Sequence, residues 1–303
     1  MTKIAIENEA HWHQLRAKNV GGSEIAALFN VSPHTTPFEL WHRKAGLLPD
    51  VDLSDNDRVF WGSILEPAIA EGARIKTGWD VRKVHDYITD DQTPGFACTL
   101  DYEIIGHPKG PGVMEIKNVD GLVHHRWDRD EAGTKEPPLS FLLQAQAQMA
   151  VTGYSWGVVS CLIGGNHIEI YEYDRRETII AEMRRLVEKF WDSVKAGTAP
   201  DPNFSEDLDS LKILHSASGN GFADMTSDNR LADLCAEYVD AGAAEKAGKK
   251  RKDAAKAEML TKIGSFDKIG VGVFSISAAE VKGGTVNYER KPYRGFRVNQ
   301  KKG

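Results

Sequence analysis

The segment FACTLDYEIIGHPKGPGVMEIK (residues 96–117) is the part of this 303-residue chain that most constrains its fold. Apolar-rich stretches flank a turn that contains Gly and Pro, which predicts two strands joined through that turn. If the turn centres near Pro108, Asp101 and Glu115 lie seven positions from it on either side and therefore face each other. Directly opposed residues have Cβ atoms about 4.5–5.5 Å apart. Lys117 shares a face with Glu115, because side chains alternate along a strand.

This trio of side chains indicates a particular chemistry. Two carboxylates at that separation repel each other unless a cation lies between them. Hard oxygen ligands in small number suit Mg²⁺, which keeps some of its waters and also binds substrate phosphate oxygens. A lysine two residues on can position or deprotonate an attacking water and stabilise charge that develops on a phosphate. The trio therefore favours phosphodiester hydrolysis, although the spacing alone is also compatible with a surface hairpin that carries a Glu–Lys pair.

The composition excludes several other classes of protein. Apolar residues make up 41% of the chain and charged residues 27%, as in an ordinary soluble globular protein. No apolar run approaches the roughly 18–20 residues that span a bilayer, and no secretory signal is expected at the N-terminus. The three cysteines form neither a CxxC pair nor a disulfide framework. We therefore expect a protein of the reducing cytosol, without a metal site built from clustered cysteines.

Charge is distributed unevenly along the chain, although its net value is only −6. Residues 243–303 hold 15 Lys and Arg against 6 Asp and Glu, a net charge of +9. Residues 1–242 hold 23 basic and 38 acidic residues, a net charge of −15. A basic end on an acidic body favours an anionic partner, whereas a Lys-rich helix can also be a solvated surface and no more. The sequence leaves these two interpretations open.

Helix and strand signals are mixed over residues 1–200, which we predict to form one domain. Ser23 is the expected N-cap of a short helix, and Pro67 is expected to kink or divide a helix over 55–77. The further elements are predicted strands at 79–88, 96–105 and 113–119, a loop at 121–138, a helix at 139–151, strands at 154–163 and 167–173 around a Gly-Gly turn, and an amphipathic helix at 175–195. This order predicts an α/β or α+β core.

The remainder of the chain has a different composition. Residues 201–227 are predicted to form a linker, and residues 228–303 a basic C-terminal helix followed by a β region. Within that region the Ala-, Glu- and Lys-rich stretch 228–260 predicts a long exposed helix, and 269–276 alternates like a strand. The last stretch, 288–303, is basic and aromatic. We therefore expect a helical arm and a small β element appended to the core.

Three short motifs flank the hairpin segment in a fixed order. RAKNVGGSEIAAL places Arg16 seven residues before Ser23, and RVFWGSILEPAIA places Glu66 beside a Trp-Gly step. QAQAQMAVTG follows the hairpin and carries three glutamines within residues 144–148. Together with the hairpin, these pieces resemble the phage-type alkaline exonuclease family, which includes λ exonuclease and the YqaJ-like viral recombinases, within the PD-(D/E)xK nuclease superfamily. The resemblance covers roughly residues 12–191.

The resemblance implies both a fold and an activity. The fold is a restriction-endonuclease-like central mixed sheet flanked by helices. The activity is a Mg²⁺-dependent 5′→3′ exonuclease on double-stranded DNA ends, with Mn²⁺ as a substitute metal, that leaves 3′ single-stranded tails for phage-type recombination by strand annealing. The implied partners are DNA ends, a single-strand annealing protein and further copies of the chain in a ring, commonly a trimer. The implied location is the cytoplasm of a bacterial host cell.

The resemblance also implies catalytic roles for particular residues. The catalytic group that it implies consists of Asp101, Glu115, Lys117, Glu66 and Gln144. The metal ligands that it implies are Asp101, Glu115, Glu66 and the backbone carbonyl of Ile116. Gln146 is the nearest competitor of Gln144 for the position of the active-site glutamine, and the sequence leaves that choice open.

A second implied site binds phosphate through Arg16 and Ser23. A serine hydroxyl and free backbone N–H groups at a helix start form an anion site, and the Gly-Gly step before Ser23 permits close approach of the backbone. One departure from the family pattern is Pro67, directly after Glu66. Because proline disfavours helical geometry in the preceding residue, Glu66 is expected to point somewhat differently than it does in the family.

Two alternatives to the exonuclease are kept at this stage. The first is an endonuclease of the same superfamily, which would also cut closed-circular DNA. The second is a recombination scaffold that binds DNA ends without catalysis. The scaffold is disfavoured because all four catalytic residue types are present, at Glu66, Asp101, Glu115 and Lys117.

Overall fold

The computed structural model describes residues 1–129, 133–217, 219 and 221–285. The chain divides into two units, Met1–Leu214 and His215–Gly303. The first unit contains, in chain order, β1 (Thr2–Ala5), α1 (Glu9–Ala17), α2 (Ile25–Leu28), α3 (Pro37–Lys44), α4 (Asp57–Thr77), β2 (Asp80–Lys83), β3 (Asp86–Thr89), β4 (Ala97–Thr99), β5 (Tyr102–Ile105), β6 (Gly112–Val119), α5 (Gly121–His125), α6 (Leu139–Thr152), β7 (Trp156–Ile163), β8 (His167–Asp174), α7 (Glu177–Ala196) and α8 (Leu208–Leu214). The second unit contains α9 (Asn229–Ile263), β9 (Lys268–Val271) and β10 (Phe274–Ser277). Across the described residues, no helix is both long enough and apolar enough to cross a membrane.

A five-stranded mixed sheet with the order β2-β5-β6-β7-β8 forms the centre of the first unit. β6 and β7 run parallel, and the other neighbouring pairs are antiparallel. Alternate residues of β6 enter two different cores. Val113 and Val119 pack with α6 on one face, while Met114 and Ile116 pack with α4 on the other. The predicted mixed sheet flanked by helices is confirmed.

Two stretches that were predicted as single strands are each broken in the structure. The stretch 79–88 forms β2 and β3, and the stretch 96–105 forms β4 and β5. β2 and β5 pair in the central sheet, while β3 and β4 join β1 in a separate three-stranded sheet. The two breaks meet where the N–H of Val84 approaches the carbonyl of Asp101. The residues on both sides of each break suit a strand, so the sequence pattern does not reveal where the chain changes sheet.

Of the two outcomes predicted for Pro67, a kink or a division, the division is wrong, because helix α4 continues through Pro67. Proline withholds one N–H from the carbonyl four residues earlier, which here belongs to Ser63. Ser63 is exposed, so water can replace the missing donor. Beyond the proline, Ile69, Ala70 and Ala73 are buried against the central sheet, and this packing stabilises the second half of the helix.

The second unit confirms the predicted long helix and corrects the predicted strand. α9 begins after Asp228, whose side chain accepts a hydrogen bond from the N–H of Leu231 at 2.9 Å. The stretch 269–276 lies in a hairpin of β9 and β10, because Gly272 turns the chain with a positive φ of 57°. The basic stretch 288–303 lies outside the described residues.

The segment 201–227, predicted as a linker, begins with residues that the first unit holds. Asp207 is only 2% exposed and accepts hydrogen bonds from Thr36 Oγ1 at 2.5 Å and from the N–H of Asn203 at 2.7 Å. Thr36 is itself the N-cap of α3, and α8 follows directly after Asp207. The first unit therefore extends to Leu214.

We predict that Gly157→Ala destabilises the first unit. Gly157 lies opposite Val113 in the parallel β6–β7 pair, and a Cβ at this position would be 2.1 Å from Val113 Cγ2 and 3.0 Å from the Val113 carbonyl oxygen. Because the buried strands cannot separate freely, the free energy of unfolding should fall by about 1–3 kcal/mol, measured by chemical denaturation. Gly62→Ala on α4 is the control, since a Cβ there meets nothing within 4 Å. Equal losses for the two variants would contradict the close packing of β6 and β7.

Candidate active site

The pairing of β5 with β6 brings Asp101 and Glu115 together. Tyr102 pairs with Met114, and the same antiparallel register continues by one residue to Asp101 and Glu115. The predicted register of the hairpin is therefore confirmed. β5 ends at Tyr102, and the Asp101 carboxylate accepts the N–H of Ile116 at 2.8 Å. Glu115 is 1% exposed, on the face of the sheet that α6 covers.

Lys117 forms an ion pair with Glu115 along the same strand. Its Nζ atom lies 2.5 Å from Glu115 Oε1 and 5.1 Å from the centre of the Phe141 ring. Burial lowers the pKa of Lys117, but the charge of Glu115 and their hydrogen bond outweigh burial, so the pKa lies above its ordinary value. Lys117 is therefore protonated at neutral pH. In this state it can hold a water or a phosphate oxygen.

The acidity of Asp101 is also altered. Burial and then the negative charge of Glu115 raise the pKa of Asp101 to about 7. The hydrogen bond from Ile116 and the charge of Lys117 act in the opposite direction, but they do not cancel the increase. Two carboxylates thus lie close together, and Lys117 is paired with one of them, Glu115. A bound cation would relieve this repulsion.

The oxygen donors around Asp101 fit a small hard cation. The N–H and carbonyl of one residue point to the same side of a strand, so the Ile116 carbonyl points with its N–H toward Asp101, beyond the end of β5. Two carboxylates and one carbonyl leave coordination positions for waters and substrate oxygens, as Mg²⁺ requires. Within the described ranges, no three His, Cys, Asp or Glu side chains are grouped as a metal site. The fit therefore depends on a donor set that is completed by the backbone and by water.

Glu66 lies outside this group in the structure. Its carboxylate pairs with Lys83 on β2, a residue that the sequence did not single out. The Lys83 ammonium also lies 5.0 Å from the centre of the Tyr102 ring. Glu66 is close enough to raise the pKa of Asp101 by its charge, as the smallest of the contributions named for that group. The Glu66 carboxylate thus lies near Asp101 but forms its ion pair with Lys83.

The three glutamines of α6 have three different partners. Gln144 Oε1 accepts a hydrogen bond from Lys117 Nζ at 3.1 Å. Gln146 bonds instead to the carbonyl of Asp174 and to the N–H of Arg176, at 2.8 and 2.9 Å, and so holds the start of α7. Of the two candidates for the active-site glutamine, Gln144 is the one that contacts the lysine.

The third glutamine, Gln148, was not assigned a role from the sequence. It is 1% exposed, and its Nε2 donates to Glu115 Oε2 at 2.5 Å and to the carbonyl of Thr99 at 3.2 Å. Its position four residues after Gln144 is the signal that could have found it, because residues four apart share one face of a helix. Gln148 orients Glu115 from the side opposite to Lys117.

Arg16 and Ser23 line a small cavity of about 80 Å³ next to this group. Gly22 and Gln144 also line it, so the cavity and Lys117 share Gln144 as a neighbour. The Arg16 guanidinium lies 4.6 Å from the centre of the Trp12 ring. The structure therefore brings the two residues of the predicted phosphate site to one place, beside the predicted catalytic residues.

The prediction that Ser23 caps a helix is wrong. α2 begins at Ile25, its N-cap residue is Glu24, and Ser23 is exposed. The Glu24 carboxylate accepts the N–H of Gly21 at 2.8 Å, so this N–H is already bound. No side chain caps the start of α2, because the Glu24 carboxylate is turned back to Gly21.

The fold has a counterpart among solved structures. The crystal structure of the alkaline exonuclease LHK-Exo from Laribacter hongkongensis is similar to it with a TM-score of 0.51 and 22% sequence identity, over 67% of this chain and 99% of that chain. Residues 11–155 match the family model of the YqaJ-like viral recombinase domain. The chain is also 29% identical over 224 residues to the uncharacterized protein YqaJ of Bacillus subtilis (strain 168), which covers 72% of this chain and 67% of that protein. The resemblance seen in the sequence is confirmed.

Separate substitution of two glutamines should distinguish their roles. Gln144→Met removes the partner of Lys117, so the rate of DNA hydrolysis should fall about 10- to 100-fold with little change in thermal stability. Gln146→Met leaves the Asp174 carbonyl and the Arg176 N–H unpaired, so it should lower the free energy of unfolding by about 1–3 kcal/mol. Initial rates on linear duplex DNA and thermal unfolding would be measured for both variants. A folded Gln146→Met protein that has lost hydrolysis, beside an active Gln144→Met protein, would reverse the assignment.

Proposed function

We propose that this protein is a Mg²⁺-dependent exonuclease that digests double-stranded DNA ends in the 5′→3′ direction. The products are 3′ single-stranded tails, which serve recombination by strand annealing. One observation carries this proposal: Gln144 both contacts Lys117 and lines the cavity of Arg16 and Ser23. A group suited to cutting a phosphodiester thus lies next to a cationic cavity suited to a phosphate.

The chain's own residues have distinct roles in this proposal. Asp101, Glu115 and the Ile116 carbonyl would hold Mg²⁺, and Mn²⁺ can replace it because it accepts the same oxygen ligands. When bound, the metal ion would polarise the phosphate and lower the pKa of a water molecule, so that hydroxide could attack after the proton passes to solvent. Protonated Lys117 stabilises charge on the phosphate oxygens, and Gln144 keeps the ammonium in position. Glu66, turned to Lys83, would act on the site through its charge alone.

The cavity lined by Arg16 is the reason for proposing that the enzyme prefers DNA ends. A guanidinium offers charged, forked donors to a phosphate, and the Ser23 hydroxyl adds a further donor. A terminal phosphate monoester can enter a cavity of about 80 Å³, whereas a phosphate inside a continuous strand carries a nucleotide on each side. After each cut a new terminal phosphate would occupy the cavity. This favours an exonuclease over an endonuclease of the same superfamily.

The proposal includes partners beyond the DNA end. A ring of several copies, such as a trimer, would enclose the duplex and explain processive digestion. A single-strand annealing protein would take over the 3′ tail. The net charge of +9 over residues 243–303 suits contact with the phosphates of DNA.

Asp101→Ala and Glu115→Ala should each abolish digestion while DNA binding persists. Each substitution removes a proposed metal ligand and a negative charge, but no proposed phosphate contact. Digestion would be followed on linear duplex labelled at one 5′ or one 3′ end, with closed-circular DNA alongside, and binding would be measured with EDTA present. Asp192→Ala on α7 is the matched control, because its side chain is 77% exposed and pairs only with Lys195 among the contacts described.

The same assay separates the proposed function from its alternatives. Cleavage of the closed circle would identify an endonuclease. Wild-type protein that binds ends but digests nothing with Mg²⁺ or Mn²⁺ would identify a binding scaffold. Early release of the 3′ label would reverse the proposed polarity.

Arg16→Ala should erase a preference for 5′-phosphorylated ends. Wild-type protein should digest 5′-phosphorylated duplex faster than 5′-hydroxyl duplex, by about tenfold or more for one charged hydrogen-bonding contact. The ratio of the two rates is the measurement. Arg185→Ala on α7, which removes an exposed arginine paired with Glu182, should leave that ratio unchanged. An Arg16→Ala protein that keeps the preference would place the phosphate elsewhere.

A further inference from the structure

A buried ion cluster adjoins the Arg16 cavity, and no sequence pattern indicated it. Lys44, at the end of α3, lies with its Nζ atom 2.8 Å from Glu24 Oε2 and 3.0 Å from Glu24 Oε1. The same Nζ atom donates to the backbone carbonyl of Arg16 at 2.7 Å. The Arg16 guanidinium reaches Glu24 Oε1 through one nitrogen, at 3.0 Å. Glu24 is thus held by two cations.

Lys44 is too deeply enclosed to be an ordinary surface charge. Its side chain is 6% exposed, and that of Glu24 is 17% exposed. Burial lowers the pKa of Lys44. Burial also raises the pKa of Glu24, but the charges of Lys44 and Arg16 outweigh it, so the pKa of Glu24 lies below its ordinary value and the carboxylate is ionised at neutral pH. A chain tolerates buried charges only where partners replace the lost hydration.

The balance of charge in the cluster determines what Arg16 can offer to a ligand. One carboxylate and two cations leave a net charge of +1 beside the cavity, and Arg16 is the cation of the cluster that lines it. Without Lys44, Arg16 would be the one cation of the cluster left to pair with Glu24, and the two charges would cancel. Glu24 would keep its hydrogen bond from the Gly21 N–H, but a guanidinium and a carboxylate without a second cation favour a bidentate pair, which occupies two N–H groups and cancels the charge. An incoming phosphate would then have to displace a carboxylate.

We propose that Lys44 is a positioning residue for the terminal phosphate, because it neutralises Glu24 and leaves the charge of Arg16 available. The inference rests on the phosphate role of Arg16 in the proposed function. Its ligand is the phosphate monoester of a 5′ DNA end. Lys44 also donates a hydrogen bond to the backbone carbonyl of Arg16. It therefore positions the backbone of that arginine as well as keeping the guanidinium charge available. Lys44 does not act on the bond that is cut.

A set of charge-balanced variants of the full chain tests this role. The readout is the ratio of digestion rates on 5′-phosphorylated and 5′-hydroxyl linear duplex, together with KM for the phosphorylated ends. Lys44→Met should reduce the ratio about tenfold or more, toward that of Arg16→Ala, and raise KM. Glu24→Gln should keep the preference, because Arg16 then has no competing carboxylate. The combined variant, Lys44→Met with Glu24→Gln, should regain the preference that Lys44→Met loses.

The rescue by a second substitution separates charge balance from a structural role. If Lys44 only supports the fold, the combined variant will stay as low as Lys44→Met, and the inference is overturned. If Lys44→Met alone does not fold, Glu24→Gln is compared with the combined variant. Equal ratios support the inference, and a further loss in the combined variant overturns it.

The same measurements distinguish failure of this inference from failure of the proposed function. If wild-type protein shows no preference for the phosphorylated end, the phosphate role of the cavity is overturned, and this role of Lys44 is overturned with it. Wild-type protein that prefers the phosphate, together with a Lys44→Met protein that keeps the preference, overturns the role of Lys44 alone.

Discussion

The hydrogen bond between the Ile116 N–H and the Asp101 carboxylate is the contact on which the active site depends. β5 stops at Tyr102, so a side-chain oxygen of Asp101 takes the place that a backbone carbonyl would have in a longer strand. This exchange ends the strand pairing and holds one carboxylate opposite another. Burial and the charge of Glu115 then raise the pKa of Asp101 to about 7. The strand register, the Ile116 N–H and the pairing of Lys117 with Glu115 together keep the two carboxylates in place.

Helix α6 connects this acid pair to the rest of the site. Gln144 contacts Lys117 and Gln148 contacts Glu115. A spacing of four residues along the helix therefore matches a spacing of two residues along the strand. The distances agree, because four helical residues rise about 6 Å and two strand residues about 6.6 Å. Gln146, between them, points to the start of α7. The three glutamines of α6 thus contact Lys117, Glu115 and the start of α7.

Charge is buried in two adjacent places, around Asp101 and around Glu24. A well-packed apolar group of the same size is often as stable as a buried ion pair, or more stable, so such charges are weak evidence for stability. Both clusters border the same glutamine, Gln144, which lines the cavity and binds Lys117. Their common position fits the proposed binding and cutting of a phosphate.

The sequence by itself determined the features that depend on neighbours along the chain. The spacing of Asp101 and Glu115 about one turn is enough to set their register, and alternation is enough to put Lys117 beside Glu115. The long helix α9 was equally visible, because its composition and its cap at Asp228 are local.

Only the tertiary structure decided which distant groups meet. Glu66 could not be assigned to Lys83, nor Glu24 to Lys44, because these contacts join elements whose relative placement no local pattern encodes. The division of 79–88 and 96–105 between two sheets has the same cause. The pattern of apolar and polar residues along a strand indicates its two faces, but it does not indicate which strand is its neighbour. The continuity of α4 through Pro67 was decided by burial against the sheet, which offsets the lost hydrogen bond.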